Sequence, residues 1–291
     1  MHDARTVVFL NGRFLEDAAG AAVSLFDRGY LLGDGLFETL RAYGGRVFRG
    51  ALHLDRLASG ARRLEIPLPH EPSEIHRLVH EAVAHVGADD VYVRVTLSRG
   101  EGGPGVAIRG DERPTFSIVA RPSAPYPPDA YERGIASGVA ETRRIPPACL
   151  PPELKTTYLP NVLARRELDR RGLLEGVMLS VDGRVVSGTV SNVFVVRGRE
   201  LWTPHPGSGC RPGVTREAVL ELAPSLDLAV VERDLTVDDV RSADELFFTN
   251  TAMECLGAAR FEDRAYGPGR KVTRRLHDAL ARTIREETRG G

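Results

Sequence analysis

The order of apolar and polar residues along the chain predicts its helices and strands. In the stretch 73–86 apolar residues recur about every 3.6 positions and Gly87 follows them, a pattern typical of an amphipathic helix with one face on a sheet. In the stretch 91–98 every second residue is apolar, and the positions between them hold Tyr92, Arg94, Thr96 and Ser98. This alternation predicts a strand with one polar face. That face either borders a polar cavity or is an ordinary half-exposed surface.

Turn signals and shorter runs predict the remaining elements. Asn11-Gly12 and Gly44-Gly45 each separate two extended runs, as in β-hairpins. Further helices are predicted over 51–63, 159–171 and 271–287 and from Pro212 onward, and further strands over 115–120, 134–141, 176–181, 192–196, 227–232 and 245–249. Helices and strands mix without a regular βαβ alternation, which favours the α+β class.

A proline-rich segment near the middle of the chain suggests a domain boundary. The run Arg121–Pro128 contains four prolines, and proline does not fit a helix interior or a central strand. We therefore expect residues 121–132 to be a stiff linker between a smaller α+β domain, 1–120, and a larger domain, 133–291. A chain of 291 residues is long enough for two such domains.

Composition excludes several classes of partner. The net charge is −1, so we expect neither a nucleic acid nor a membrane surface as partner. The three cysteines lack any CxxC pairing and indicate neither a disulfide framework nor a zinc site; no metal site is expected. The N-terminus lacks the pattern of a secretion signal, and no apolar run reaches the ~20 residues of a membrane span. We expect a soluble, cytoplasmic protein.

Lys155 is the most informative single residue. It is one of two lysines, the other being Lys271, so 37 of the 39 basic residues are arginine. Unlike arginine, lysine can lose its proton and form a Schiff base. The segment 153–164 puts Lys155 in a polar turn before a predicted helix. Lys155 is therefore either a reactive amine or an ordinary surface charge.

Several segments, in order, resemble those of class IV, fold type IV pyridoxal-phosphate enzymes. That family contains D-amino acid aminotransferase, branched-chain aminotransferase and 4-amino-4-deoxychorismate lyase. Asp27–Thr39 resembles its DRGxxxGDGxFET segment and His53–Leu57 its HxxRL segment. The other matches are the Lys155 turn, Val190–Phe194, Pro212–Arg216 and Phe248–Ala252. Each motif alone is weak, and their ordered occurrence over about residues 20–260 carries the resemblance.

The resemblance implies a two-domain α+β fold with pyridoxal 5'-phosphate between the domains. Lys155 would hold the cofactor as an internal aldimine and move the substrate proton. The phosphate needs a cation and helix N-terminal amides, and the residues implied for it are Arg56, Val214, Thr215 and Thr251. Tyr158 would hydrogen-bond the phenolic oxygen of the cofactor, although its spacing from Lys155 is shorter than in the relatives.

Two departures from the family pattern affect the expected chemistry. Ser187 occupies the position of the glutamate that keeps the pyridine nitrogen protonated, which weakens the electron sink. Pro104 and Val106 occupy the positions of an arginine and a histidine that trap a substrate carboxylate. The candidates for substrate binding are Tyr30, which matches a tyrosine of that trap, and Arg94, Arg99 and Arg109, any of which could instead be a surface charge.

The expected function is a homodimeric aminotransferase that moves an amino group from a small amino acid to a 2-oxo acid. Thr249–Glu254 favours this reaction, because it is more similar to the TGTAAE segment of the aminotransferases than to the corresponding lyase segment. The alternative is 4-amino-4-deoxychorismate lyase, which Ser98–Gly103 and Ser187 favour. A second alternative is a pyridoxal-phosphate-binding protein that is catalytically slow or altered because Ser187 replaces the usual glutamate. The remaining alternatives are a non-enzymatic cofactor-binding or regulatory protein and one that has lost the cofactor.

Overall fold

The structure is a computed structural model that describes residues 6–103, 105–124, 126–156 and 158–289. Its α-helices are α1 (Arg28–Leu32), α2 (Gly50–Arg63), α3 (Pro72–Val86), α4 (Pro128–Arg133), α5 (Leu159–Arg170), α6 (Val214–Leu222), α7 (Val237–Arg241) and α8 (Lys271–Thr288). Its strands are β1 (Val7–Leu10), β2 (Arg13–Phe14), β3 (Gly35–Tyr43), β4 (Arg46–Val47), β5 (Asp90–Glu101), β6 (Arg113–Pro122), β7 (Ile135–Val139), β8 (Glu175–Leu179), β9 (Val185–Gly188), β10 (Asn192–Arg197), β11 (Glu200–Thr203), β12 (Ala229–Glu232), β13 (Glu245–Asn250), β14 (Glu254–Phe261) and β15 (Arg264–Ala265).

The chain divides into two compact units. The first contains the chain up to Ala124, the short segment that begins at Leu154, and the C-terminal residues from Ile284 onward. The second contains the residues after Ala124 up to Glu153 and those from Tyr158 to Thr283. The predicted domains, 1–120 and 133–291, differ from these units because the Lys155 segment and the residues from Ile284 onward belong to the first. Its backbone is bonded to β3, where the N–H of Phe37 donates to the carbonyl of Lys155 at 2.9 Å.

The first unit is built on a six-stranded antiparallel sheet in the order β2-β1-β6-β5-β3-β4. The apolar stripe of α3 is buried against this sheet, as its periodicity predicts. Strand β5 also follows its alternation: the four apolar residues at 91, 93, 95 and 97 are fully buried, whereas the side chains at 92, 94 and 96 are only half buried.

The second unit contains a nine-stranded mixed sheet. Its main path runs β12-β11-β10-β13-β14-β7-β8-β9, and β15 pairs with β14. Buried side chains from β10, β13 and β14, among them Val193, Phe248 and Leu256, belong to one hydrophobic core. Phe194 and Phe247 alternate with these residues along β10 and β13, and their buried rings stack at 4.9 Å on the other face of the sheet. Helix α5 packs on β8 through Ala164 and Leu168.

The predicted helices and strands are present with small differences at their ends. The hairpin turns also form as predicted, with Asn11 and Gly12 at φ values of 46° and 95°. The exception concerns the prolines of 121–132, which we expected to lie outside helices and strands. Pro122 is the last residue of β6 and Pro128 the first of α4, two positions where the missing N–H costs little.

Among the described residues no helix is both long enough and apolar enough to cross a bilayer.

Candidate functional site

The amine of Lys155 faces a buried carboxylate on β3. Lys155 Nζ lies 3.6 Å from Glu38 Oε2 and 5.2 Å from the centre of the Phe37 ring. The hydroxyl of Thr156 donates to the carbonyl of Gly33 at 2.9 Å. Together with the Phe37–Lys155 backbone bond, this contact fixes the lysine beside the strand.

Glu38 also binds two residues of α2. His53 Nδ1 lies 2.8 Å from Glu38 Oε2, and Arg56 Nη2 donates to both carboxylate oxygens at 3.1 and 3.0 Å. His53 and Arg56 are three residues apart and therefore share one helix face. Glu38 is 2% exposed. We call Glu38, His53, Arg56 and Lys155 the Glu38 cluster.

The charges in the Glu38 cluster hold the carboxylate ionised. Burial alone would raise the pKa of Glu38, but Lys155, the hydrogen bond from His53 and the charge of Arg56 together lower it well below its ordinary value. Burial lowers the pKa of His53, even though Glu38 acts in the opposite direction. A neutral His53 donates from Nδ1, because an ionised carboxylate only accepts. The cluster thus contains one anion, two cations and a neutral donor.

Much of the Asp27–Thr39 motif stabilises the backbone. Asp27 caps α1 by accepting from the N–H of Gly29 at 2.7 Å, and it also accepts from the hydroxyls of Ser98 and Thr115. Asp34 accepts from Arg28 and Arg99 at 3.0 and 2.8 Å.

Arg99 is not placed like a substrate ligand. It is 4% exposed, and besides Asp34 it donates to the carbonyls of Leu64 and Glu65 at 2.7 and 3.0 Å. These bonds connect the end of α2 to β5. Arg99 was one of three arginine candidates for substrate binding, and we withdraw it because its guanidinium is used inside the fold.

Of the remaining substrate candidates, Arg94 contacts a ring that Lys155 also approaches. Its Cζ is 3.2 Å from the centre of the Phe37 ring, the same ring that Lys155 approaches. Tyr30 is 67% exposed, and Arg109 is also exposed. Pro104 lies outside the described residues, and Val106 is exposed.

In the second unit, the predicted phosphate residues Val214 and Thr215 form the first turn of α6. Gly213 is the N-cap, and no described side chain caps the helix. Free first-turn amides are a favourable anion site. A Cβ at Gly213 would lie 2.2 Å from Asn192 Oδ1, so a larger residue would fit here only if this carboxamide moved. Asn192 in turn donates to the carbonyl of Arg211 at 2.7 Å and fixes the entry to the helix.

Thr251 lies in the turn after β13. The carboxamide oxygen of Asn250 accepts from the N–H groups of Ala252 and Met253, both at 2.8 Å, and orders this turn. The Nδ2 of Asn250 donates to the carbonyl of Val190 at 3.2 Å. Because Asn192 pairs with Thr249 across β10 and β13, the two motifs that contain these asparagines lie side by side.

Ser187 lies on β9 and is 6% exposed. Its hydroxyl donates to the carbonyl of Gly188 at 2.8 Å. The next loop is held by Glu175, whose Oε1 accepts from the N–H and the hydroxyl of Thr189 at 2.6 and 2.7 Å. Burial raises the pKa of Glu175 despite these bonds. Ser187 therefore stands next to an ordered loop that a buried carboxylic group supports.

Tyr158 is the N-cap residue of α5. Arg144 lies close enough for charge interaction with it, and burial lowers the pKa of Arg144. Arg144 also donates to the Asn161 carboxamide at 3.3 Å, and Asn161 donates to the carbonyl of Thr189. Sequence reasoning missed Arg144.

The sequence analysis also assigned no role to Glu38 and His53, although both lie within the matched motifs. One sequence signal could have identified Glu38: it is a charged residue on the same face of β3 as the apolar residues Leu36 and Leu40.

Comparison with known proteins identifies the family. Residues 35–261 match the family model described as amino-transferase class IV. A Methanocaldococcus jannaschii protein, provisionally named a branched-chain-amino-acid aminotransferase, is 38% identical over 258 residues, or 88% of each chain.

The chain belongs to the class IV aminotransferase family. The predicted family and the prediction of an enzyme are therefore confirmed.

Two further relatives widen the comparison. The aminodeoxychorismate lyase of Bacillus subtilis is 29% identical and covers 90% of this chain and 88% of its own. The crystal structure of the branched-chain amino acid aminotransferase from Thermobaculum terrenum in its PLP-form has a TM-score of 0.85 at 26% identity, and the match covers 96% of this chain and 93% of that one. The predicted fold type IV, α+β architecture is confirmed.

Proposed function

We propose that this class IV enzyme is a pyridoxal-phosphate-dependent aminotransferase that moves an amino group from a small amino acid to a 2-oxo acid. The observation that carries the proposal is the Glu38 cluster, in which an amine and a guanidinium share one buried carboxylate. An amine suits the cofactor aldehyde, and a guanidinium suits its phosphate. The uncapped first turn of α6, with glycine before it, offers the amides that a phosphate needs.

Each residue then has a defined task. Lys155 would attach the cofactor covalently and, once released, would carry a proton from the substrate α-carbon to the cofactor. Arg56, the amides of Val214 and Thr215, and the hydroxyls of Thr215 and Thr251 would bind the phosphate. Tyr158 would donate to the phenolic oxygen of the cofactor, and Ser187 would be the partner of its ring nitrogen. The bound cofactor supplies the electron sink that makes the α-proton acidic.

We infer that Arg94 binds a substrate carboxylate. Arg94 and Lys155 approach the same Phe37 ring, which supports a substrate site that includes both side chains. A cation of this kind recognises the carboxylate that amino acids and 2-oxo acids share. The 38% identity to the M. jannaschii protein supports a branched-chain side chain on the amino donor. Tyr30 and Arg109 stay as weaker candidates.

We also propose a homodimer. The segment 23–32 of the first unit exposes several large apolar side chains: Val23, Leu25, Phe26, Tyr30, Leu31 and Leu32 are between 48% and 71% exposed. An apolar run of this size is typical of a protein interface. Light scattering at micromolar concentration should give twice the chain mass, and a monomer would contradict the proposal.

The function is tested by the absorption spectrum of the purified chain with a panel of amino donors. We expect a cofactor band that shifts when L-valine, L-leucine or L-isoleucine is added and returns when 2-oxoglutarate follows. D-alanine serves as the stereochemical comparison. A band that no donor shifts would instead support a cofactor-binding protein without this reaction, and a colourless chain that borohydride cannot label at Lys155 would support loss of the cofactor.

The lyase alternative is favoured by one observation. Ser187 presents a hydroxyl rather than a carboxylate, and an elimination demands less of the electron sink than a full transamination. Incubation with aminodeoxychorismate separates the two reactions. Pyruvate release without any keto-acid acceptor would contradict the aminotransferase proposal.

Replacing Ser187 by Glu tests its place at the ring nitrogen. A carboxylate there stabilises the protonated ring and strengthens the electron sink, so we expect each transamination half-reaction to be roughly tenfold faster. Stopped-flow absorption measures this rate. Ser225→Glu adds the same charge at an exposed site and should leave the rate unchanged. An unaltered rate in Ser187→Glu would place the serine elsewhere.

A further inference from the structure

We propose that Glu38 is the positioning residue of the lysine: its carboxylate binds Arg56 and holds the protonated Lys155 amine beside it. This inference rests on the proposed function for its meaning, but its geometry lies wholly within the first unit. Glu38 Oε2 is shared by three groups, His53 Nδ1 at 2.8 Å, Arg56 Nη2 at 3.0 Å and Lys155 Nζ at 3.6 Å.

The three contacts of the Glu38 carboxylate differ in length. His53 and Arg56 make short hydrogen bonds that fix the orientation of the carboxylate. Lys155 lies at ion-pair distance and is the partner that can most easily move. Glu38 therefore stays bonded when the lysine amine leaves to react, and a negative charge is ready for the amine when it returns protonated. Its hydrogen bonds to His53 and Arg56 of α2 keep the carboxylate in place when the lysine side chain moves.

The carboxylate is also placed to control the proton on Lys155. Glu38 lies beside the amine, His53 and Arg56 bind the same carboxylate, and Arg94 approaches the Phe37 ring that Lys155 also approaches. Glu38 favours the protonated amine, Arg56 and Arg94 disfavour it, and His53 is held neutral by burial. Replacing Glu38 by a neutral residue removes the anion that lies 3.6 Å from the amine, while the charges of Arg56 and Arg94 stay. A neutral amine then becomes the more stable form at lower pH.

The presence of only two lysines makes this effect directly measurable. The full-length chain, freed of cofactor, is treated with formaldehyde and cyanoborohydride, which methylate unprotonated amines. Peptide mass spectrometry gives the rate at Lys155 relative to Lys271 as a function of pH. In Glu38→Gln we expect the Lys155 profile to move down by about one pH unit or more, so that the rate ratio at neutral pH rises at least about tenfold.

Matched variants separate charge from structural disturbance. Glu38→Asp keeps the anion and should stay within about threefold of the wild-type ratio. Glu262→Gln removes a carboxylate that binds an arginine and a backbone N–H in the second unit and should leave the ratio unchanged. Equal ratios in wild type and folded Glu38→Gln would overturn the proposal.

Glu38→Gln leaves two cations without their counter-ion and could prevent folding. The pair Arg56→Gln and Glu38→Gln/Arg56→Gln avoids this, since the double variant also removes one cation. The proposal requires the Lys155 ratio of the double variant to exceed that of Arg56→Gln at least about fivefold, and equal ratios would overturn it. A shift in labelling from a chain that shows no cofactor band would refute the proposed function and leave the role of Glu38 intact.

Discussion

Replacing Lys155 by Arg should abolish amino-group transfer while leaving the fold intact. Arginine keeps a cation beside Glu38, so the ion pair that Lys155 makes at 3.6 Å has a replacement. It cannot attach the cofactor covalently and cannot act as a proton acceptor at neutral pH. We expect the rate of the first half-reaction to fall by at least about a thousandfold.

Single-turnover absorption with an amino donor measures this loss, and borohydride treatment followed by peptide mass analysis shows whether the cofactor is still attached. Lys271→Arg is the matched control, because Lys271 is the only other lysine and lies exposed at the start of α8. It should retain wild-type activity. Substantial turnover in Lys155→Arg, or loss in Lys271→Arg, would show that the reactive amine is misassigned.

The elements with a clear period were predictable from sequence, because one face of each is buried. The stripe of α3 and the alternation of β5 determine which side meets the core, and no distant information is needed. Strand β14 was not predicted, because its sequence lacks such a period. Its residues Glu254–Phe261 include glycine and alanine and begin at Glu254 with φ of 53°. Its place in the sheet comes from pairing with β13 and β7.

The candidate site was predictable as a set of motifs but not as a set of contacts. Arg56 and Lys155 are 99 positions apart in the sequence, and only the fold shows that both reach Glu38. Arg99 shows the converse. Its sequence position made it a candidate substrate ligand, but its buried guanidinium donates to the carbonyls at the end of α2. No local sequence pattern reveals these contacts.

Replacing Arg56 by Gln should weaken binding of pyridoxal 5'-phosphate by roughly ten- to a hundredfold. The guanidinium is held by both oxygens of Glu38, so its orientation is set before a ligand arrives. A charge-assisted bond to an anion contributes roughly 1.5–3 kcal/mol, and each 1.4 kcal/mol is a factor of ten in affinity. Glutamine loses the charge and cannot make the paired contact.

A titration followed by absorption measures this affinity. The same titration with pyridoxal, which lacks the phosphate, shows whether Arg56 acts on the phosphate group. If Arg56 acts on the phosphate, its removal should change the affinity for pyridoxal by less than about threefold. Arg63→Gln, an exposed arginine on the same helix, should change neither value. Equal losses for both ligands would mean that Arg56 acts only by supporting Glu38 and Lys155. Arg56→Lys keeps the charge without the planar fork and should recover only part of the phosphate-dependent affinity, because the orientation imposed by Glu38 matters as well as the charge.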